Sequence, residues 1–465
     1  MKIKLGNKET IHFVGIGGIG MSGLAIIMKG LGFKIQGSDL SFSKNIERLK
    51  NNRIKVFLGH REKNILNSTI LVISSAIKKN NPELIKAKKK KLPIYKRGEM
   101  LGHIVSLMKN IVVAGSHGKT TTTSLISSIF SFSKIDPTVI NGGVLNSYGN
   151  SAKLGKSNWC ILESDESDGS FLDIPVTYSI VTNIDAEHLD YHKSLDKLKG
   201  SFVKFLDKTP SFGKSFICID DPAIKSISNK IKNKNFLTYG LDRSANFRIE
   251  NVINNKDYSQ FNLSINLPGQ KKDYIKKLQL PIIGLHNIRN AAASAAVCYL
   301  IGISNSMIRS GLKNFQGVQR RFNNLFSYRN ISFIDDYAHH PSEISCVLTS
   351  LREVYREKEI VCIFQPHRVS RLNSLKDEFT KCFKHSDYLI LCPVFKAGEN
   401  IKLNFKYKNF AKQIIKNSKV NLVIVNEEKD ILKYVKQNIF GDKIVIGMGA
   451  GSISNWMRSL EHKLK

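Results

Sequence analysis

The sequence predicts an α/β protein built on parallel sheets and divided into three domains. Two observations in the pattern and one in the length carry this. Short β-branched runs alternate with helical stretches, as in sheets whose strands are joined by helical crossovers. Two glycine-rich loops each leave a strand and open a helix. The chain has 465 residues, which at about 150 residues per domain suggests three domains. The strand-like runs, in order, are Ile11–Val14, Ile70–Ser74, Ile111–Ala114, Trp159–Glu163, Ser179–Thr182, Ser215–Ile219, Ile331–Asp335, Ile360–Phe364, Tyr388–Cys392, Val420–Val425 and Lys443–Ile446. No repeat and no low-complexity linker marks a boundary. Motif logic closes a first unit near Met108, before a fresh strand and phosphate loop, and a second near Arg320.

Composition narrows the function classes. Hydrophobic residues make up 42% and charged residues 23%, an ordinary soluble balance that excludes wholesale disorder. Seventy-one Lys and Arg against 38 Asp and Glu leave a net charge of +33. The excess is mostly lysine and runs along the whole chain, without interleaved aromatics or a zinc-finger or RRM-type motif. It reads as a solvated basic surface that attracts anionic substrates, not as a nucleic-acid interface. None of the seven cysteines forms a C-x-x-C pair. Cys160, Cys218, Cys362 and Cys392 lie in apolar strand-like runs and read as small buried hydrophobes in a reducing compartment. The uncharged stretch Phe13–Met28 is broken by five glycines, which suits a tight turn better than a signal helix. Ala291–Ile303 is too short to span a bilayer. The expectation is a cytoplasmic protein with no membrane partner.

The first loop is G-I-G-G-I-G, with Gly15, Gly17, Gly18 and Gly20, directly after a strand. Asp39 follows about 20 residues later, after a second strand-like run, as in dinucleotide-binding turns. Such glycines let the backbone approach a diphosphate at a helix N-terminus. The motif does not fix which nucleotide binds. The second loop, V-V-A-G-S-H-G-K-T-T, runs from Val112 to Thr121. Its backbone amides would cradle phosphates, Lys119 would neutralise the β/γ oxygens and Thr120 would hold Mg²⁺. The generic pattern asks for glycine where Val113 stands, so this is a shortened variant resting on the G-K-T core.

An acidic segment, Glu163-Ser-Asp165-Glu166-Ser-Asp168, sits at a strand end. Four carboxylates in six residues of so basic a chain suggest a cation site of oxygen ligands. Downstream lie Asp185, Glu187, His188 and His192; without H-E-x-x-H or a cysteine partner, zinc is not indicated. I-D-D-Y-A-H-H-P and F-Q-P-H-R-V-S-R each follow a strand, marking sheet edges where α/β ligands bind. In the latter, His367, Arg368 and Arg371 would form an anion site.

The G-x-H-G-K-T-T loop behind a separate G-I-G-G-I-G domain, then E-x-D-E-S-D, E-H-L-D, G-L-H-N-I-R-N, G-V-Q-R-R-F, D-D-Y-A-H-H-P and F-Q-P-H-R, resemble in this order the Mur ligases, over essentially the whole chain. The resemblance implies a Rossmann-like UDP-sugar domain over residues 1–108. It implies a P-loop ATPase domain with a mostly parallel sheet over 109–319 and a Rossmann-like ligase domain over 320–465. The implied activity is ATP-dependent joining of L-alanine to UDP-N-acetylmuramate through an acyl phosphate, in peptidoglycan precursor synthesis. The alternative is a recycling relative that attaches a preformed tripeptide to the same sugar nucleotide. Other classes fit less well. An NAD-dependent oxidoreductase leaves the Lys119 loop without a task, and a nucleic-acid-dependent ATPase lacks its motif set.

The resemblance also implies roles for residues. Gly115, Ser116, His117, Gly118, Lys119, Thr120 and Thr121 would bind the ATP phosphates. Thr120 and Glu163 would hold one Mg²⁺, and His188 another near the γ-phosphate. His286, Asn287 and Asn290 match a segment near the nucleotide. Arg320 or Arg321 would contact the γ-phosphate, and Asp336 the nucleotide. His367, Arg368 and Arg371 would take the carboxylate of the amino acid or product. Gly15, Gly17, Gly18, Gly20, Ser38, Asp39, Ser74 and Ser75 would surround the uridine nucleotide.

Overall fold

The computed structural model describes residues 9–147 and 149–464. It contains three sheets, and each strand-like run predicted from the sequence lies in or overlaps one of their strands. The first has five parallel strands in the order Lys55–Leu58, Lys34–Asp39, Thr10–Val14, Ile70–Ile73 and Ile94–Lys96. Its central strand is buried on both faces, as Ile11, Phe13 and Val14 show. Continuous apolar runs are what a doubly covered parallel strand requires.

The second sheet has ten strands. Its parallel heart sets Tyr178–Val181, Lys109–Ala114, Trp159–Glu163 and Thr138–Leu145 side by side. Asn150–Lys153 closes one edge antiparallel to its neighbour. Toward the other edge come Lys214–Cys218, Phe236–Gly240, Phe247–Asn254, Ser259–Ile265 and Asp273–Leu280. These last three strands were not expected. They alternate buried Phe247, Ile249, Phe261, Leu263 and Ile275 with polar residues, so they lack the continuous apolar run that marks a central strand.

The third sheet runs Asn323–Tyr328, Ile331–Asp336, Lys443–Met448, Glu359–Phe364, Tyr388–Leu391 and Asn421–Ile424. All pairs are parallel except the first. Separate apolar clusters cover its two faces, one around Phe364, Phe379 and Phe383, the other around Phe333, Val445 and Met457.

By contact the chain groups into two compact units. One comprises residues 1–251, 261–279 and 289–316; the other comprises 252–260, 280–288 and 317–465. The first two sheets thus belong largely to one body. Small residues explain the merger. A Cβ built on Gly30 would lie 2.6 Å from Leu154, and one on Gly98 would lie 2.7 Å from Ser170. The helices Ile19–Gly30 and Arg97–Val105 therefore pack directly on the central domain. No helix among the described residues is long and apolar enough to cross a membrane. All seven cysteines are free, and only Cys346 is exposed.

Candidate active site

The strand Lys109–Ala114 delivers the chain into the loop 115–118, and the helix Lys119–Phe132 leaves it. Gly118 caps that helix at φ 81°, a left-handed conformation that glycine adopts without strain. A Cβ at Gly118 would also meet the Asn290 carboxamide at 2.6 Å. The loop is tied down from behind. The Ser116 amide donates to the Asn183 carbonyl (3.0 Å), the His117 amide to Asn183 Oδ1 (2.8 Å), and Thr182 Oγ1 to the His117 carbonyl (2.6 Å). His117 Nε2 lies 3.0 Å from Asp185 Oδ2. The residues Thr120 and Thr121 are buried in the first helical turn.

Lys119 bends back over this loop. Its Nζ donates to the Gly115 carbonyl at 2.6 Å and to Glu166 Oε2 at 2.8 Å. Burial opposes its charge, but Glu166, Asp165 and Glu163 outweigh burial and hold the ammonium above its ordinary range. Glu166 is fully buried. Its other oxygen, Oε1, has no hydrogen-bond partner and lies 3.9 Å from His188 Nε2. Ligand atoms of Asp165, Glu166 and His188 all fall within 4.8 Å of one another.

Glu163 ends its strand beside the Thr120 hydroxyl. Burial pushes its carboxyl above the usual range, and Thr120, Lys119 and the Gly142 amide offset this only in part. A Cβ on Gly142 would overlap the Glu163 carboxylate. Glu163 Oε2 is buried without a partner. Two carboxylate oxygens lacking donors beside a hydroxyl and an imidazole are the hard oxygen-rich set that suits Mg²⁺. The residues expected to hold it therefore fit such an ion.

The N-terminal loop is built differently. Gly15 turns at φ 81°, and the amides of Gly15 and Ile16 both donate to the Ser38 carbonyl, at 2.8 and 3.0 Å. The Gly17 amide donates to Asp39 Oδ2 at 2.8 Å, and the Gly18 amide to the Gly15 carbonyl at 3.4 Å. The Ser74 amide donates to the Val14 carbonyl (3.1 Å), while Ser75 is exposed. The Arg97 guanidinium lies against Gly20, 3.3 Å from where a Cβ would stand. This arginine was not anticipated; K-R-G-E reads as a helix start, and nothing local to it indicates the glycine loop.

In the second unit, His367, Arg368 and Arg371 gather as expected. Arg371 Nη1 lies 3.3 Å from His367 Nδ1, and the Arg368 amide donates to the Phe395 carbonyl at 2.8 Å. The His367 ring stacks on Phe395 and meets His339 edge-on. Burial, then His339 and the two arginines, pushes His367 down to about 3, so the ring is neutral at pH 7. Arg320 donates to the Gly449 carbonyl at 2.6 Å and, like Arg321, lies over the Tyr337 ring. Arg321 also faces Glu343 at 3.6 Å. Asp336 is buried and pushed up to about 6 by that burial. Both its oxygens already accept backbone amides, from Phe322 (2.8 Å) and Ala338 (2.7 Å), so its first task is to fix the turn at Arg320–Phe322. His286 and Asn287, in the first turn of the helix Leu285–Leu300, are grouped with this unit. Asn287 Nδ2 is spent on the Ile283 carbonyl (2.8 Å), and Asn290 belongs to the other unit.

A shortened phosphate loop with a carboxylate-held lysine, set in a mostly parallel sheet, defines a nucleotide-phosphate site, and the relatives place it in an ATP-dependent ligase. Comparison with known proteins agrees. The family descriptions "Mur ligase family, catalytic domain", "Mur ligase middle domain" and "Mur ligase, glutamate ligase domain" match residues 10–109, 113–298 and 320–451. The UDP-N-acetylmuramate–L-alanine ligase of Pelagibacter ubique is 63% identical over 99% of both chains. That of Bartonella bacilliformis is 42% identical over 100% of this chain and 98% of its own. The crystal structure of the UDP-N-acetylmuramate–alanine ligase of Thermotoga maritima superposes with a TM-score of 0.81, 26% identity and 98% coverage of both chains. The chain belongs to the Mur ligase family.

Proposed function

We infer that this protein joins L-alanine to UDP-N-acetylmuramate with hydrolysis of ATP to ADP and phosphate, in the cytoplasm, as a step of peptidoglycan precursor synthesis. The carrying observation is the 63% identity, end to end, to a ligase of that name. A murein peptide ligase structure shares only the fold, at 21% identity, and does not favour the tripeptide alternative.

The residues of the site support the following chemistry. A carboxylate is a poor acyl donor at neutral pH. One of its oxygens attacks the γ-phosphorus of ATP, ADP leaves, and an acyl phosphate forms. The α-amine of alanine then attacks the acyl carbon, and phosphate departs from the tetrahedral intermediate. Lys119 and the amides of Gly115–Thr121 hold the phosphates, and Arg320 or Arg321 is the residue assigned to the γ-phosphate. Thr120, Glu163, Glu166 and His188 would hold Mg²⁺, which would supply screening of the phosphoryl oxygens from the incoming carboxylate. His286, Asn287, Asn290 and Asp336 support the nucleotide. The glycines 15, 17, 18 and 20 with Ser38, Asp39, Ser74 and Ser75 receive the UDP moiety, and Arg97 supplies its diphosphate with a counter-charge. His367, Arg368 and Arg371 take the alanine carboxylate. The three working domains are residues 1–108, 109–319 and 320–465.

The test is ADP release with UDP-N-acetylmuramate against L-alanine, glycine, L-serine and the tripeptide. L-alanine should give the highest kcat/KM. Preference for the tripeptide would overturn the reading.

A further inference from the structure

The N-terminal domain contains a second polar constellation, centred on Glu83, of which only Ser38 has a role above. Glu83 is 0% exposed. It stands in the first turn of the helix Pro82–Lys89, where Asn81 caps its amide (2.9 Å). Donors from four separate segments converge on its carboxylate. They are the Ser38 hydroxyl (2.6 Å), Asn64 Nδ2 (2.6 Å), His60 Nδ1 (3.2 Å) and the Arg61 amide (3.4 Å), with His12 Nε2 at 3.5 Å. Gln36 Nε2 in turn approaches His12 Nδ1 at 3.3 Å, which places the His12 proton on the nitrogen facing Glu83.

A buried carboxylate is a costly way to hold a core together, since apolar packing does so at least as well. The location suggests another reason. Ser38 and His60 lie at the carboxyl ends of adjacent strands, the edge where parallel sheets bind ligands. Ser38 is also the residue whose carbonyl receives the Gly15 and Ile16 amides. Its neighbour Asp39 receives the Gly17 amide. One carboxylate therefore ties the glycine loop to the His60 side of the crevice.

We propose that Glu83 is a positioning residue for the sugar nucleotide, fixing the His60 imidazole, directly and through the buried Ser38 hydroxyl, against the nucleoside. The proposal rests on the assignment of a UDP-sugar to this domain. His12 beside it and the hydrogen bonds from Ser38 and Asn64 outweigh burial and hold the Glu83 carboxyl down at about 2. It is thus an anion at working pH and accepts only. Ser38, itself fully buried, donates its hydroxyl proton inward to Glu83, and its Oγ lies 2.9 Å from His60 Nδ1. Glu83 and Ser38 thus both engage the Nδ1 side of the His60 ring, which leaves Nε2 as the nitrogen for a ligand. An acceptor fixed in this way complements the imide N–H of uracil or a ribose hydroxyl.

The experiment is calorimetric titration of the full chain with UDP and, separately, ADP, joined to steady-state kinetics. Glu83→Gln keeps the shape but turns one acceptor into a donor. It should raise the Kd for UDP and the KM for UDP-N-acetylmuramate by about tenfold or more. The Kd for ADP and the kcat at saturation should stay within about twofold of wild type, a split that general loosening would not produce. The double variant Glu83→Gln/His60→Ala should bind UDP no more weakly than His60→Ala alone, because both changes break one connection. A folded Glu83→Gln protein with wild-type UDP affinity would overturn the proposal. If that variant does not fold, Ser38→Ala and His60→Ala decide, and unchanged UDP affinity in both overturns it. Wild-type protein that binds no UDP would instead remove the sugar-nucleotide assignment itself, and the proposal with it.

Discussion

The two glycine loops of the larger unit, around Gly15–Gly20 and Gly115–Thr121, begin from the same plan and end in different chemistry. Each leaves a buried parallel strand and opens a helix whose N-terminal amides favour anions. In the first, Asp39 takes up the Gly17 amide and Arg97 flanks the far end. Among the described residues, no lysine enters the loop and no buried unsatisfied carboxylate stands over it. In the second, Lys119 is held by Glu166, and buried oxygens of Glu163 and Glu166 await a partner. The first arrangement holds a diphosphate whose charge stays constant. The second is equipped for charge that moves during a reaction. A shared backbone motif therefore binds, and the side chains around it decide whether anything is transferred.

The sharpest way to break this contrast is Lys119→Ala. Turnover, read as ADP release, should fall by about a thousandfold or more, because the migrating phosphoryl charge loses a fixed counter-charge. Stability should fall as well, since Glu166 is left buried and unpaired, a loss of about 3–5 kcal/mol in fully buried pairs. Adding Glu166→Gln should restore the melting temperature without restoring turnover. Recovery of both would mean that the lysine serves the fold alone.

Gly17→Val tests the other loop. The new side chain would press on Asp39, whose oxygen lies 2.8 Å from the Cβ position. Overpacking of this kind costs about 1–3 kcal/mol, so sugar-nucleotide affinity should drop about tenfold to a hundredfold. ATP affinity should hold. Equal losses for both ligands in titration would erase the division of labour. Arg97→Ala is milder. It should raise the KM for UDP-N-acetylmuramate about tenfold, the worth of one charge-assisted hydrogen bond, and leave the KM for ATP unchanged.

The smallest effect lies in the second unit. His367 sits at about 3 in the fold against about 6.5 when free. As pH falls below about 6.5 the unfolded chain takes up a proton that the folded one refuses, so stability is lost toward pH 3 and is flat above 6.5. Partial exposure limits the effect to about 1–2 kcal/mol. His367→Gln should flatten the melting temperature between pH 6.5 and 4; an unchanged slope would place the sensitivity elsewhere.

Much of this contrast was legible in the sequence. The parallel strands announced themselves as buried β-branched runs, and Trp159–Glu163 begins and ends where predicted. Both loops, the acidic segment and the His367–Arg371 cluster were readable because consecutive residues carry them. The rest depends on contacts between distant segments. Glu166 is one of four acids in a row, and only its burial beside Lys119 distinguishes it. Arg97, Glu83 and His60 come from segments of no special composition, brought to the sheet edge by the crossover helices. The strands between Phe247 and Leu280 were missed because half their residues face water. The merger of the first two domains was hidden for a similar reason: glycines in a helix reveal close packing only when the neighbour is known.

The most direct test of the central claim follows the phosphoryl group. UDP-N-acetylmuramate labelled with ¹⁸O in both carboxylate oxygens should be turned over with ATP and L-alanine in ordinary water, and the released phosphate analysed by mass spectrometry. If the central loop activates the carboxylate, each turnover should place one ¹⁸O atom in phosphate and leave the other in the new amide. Phosphate free of label, formed at the same rate as the amide, would show that water and not the carboxylate receives the phosphoryl group, and would contradict the account.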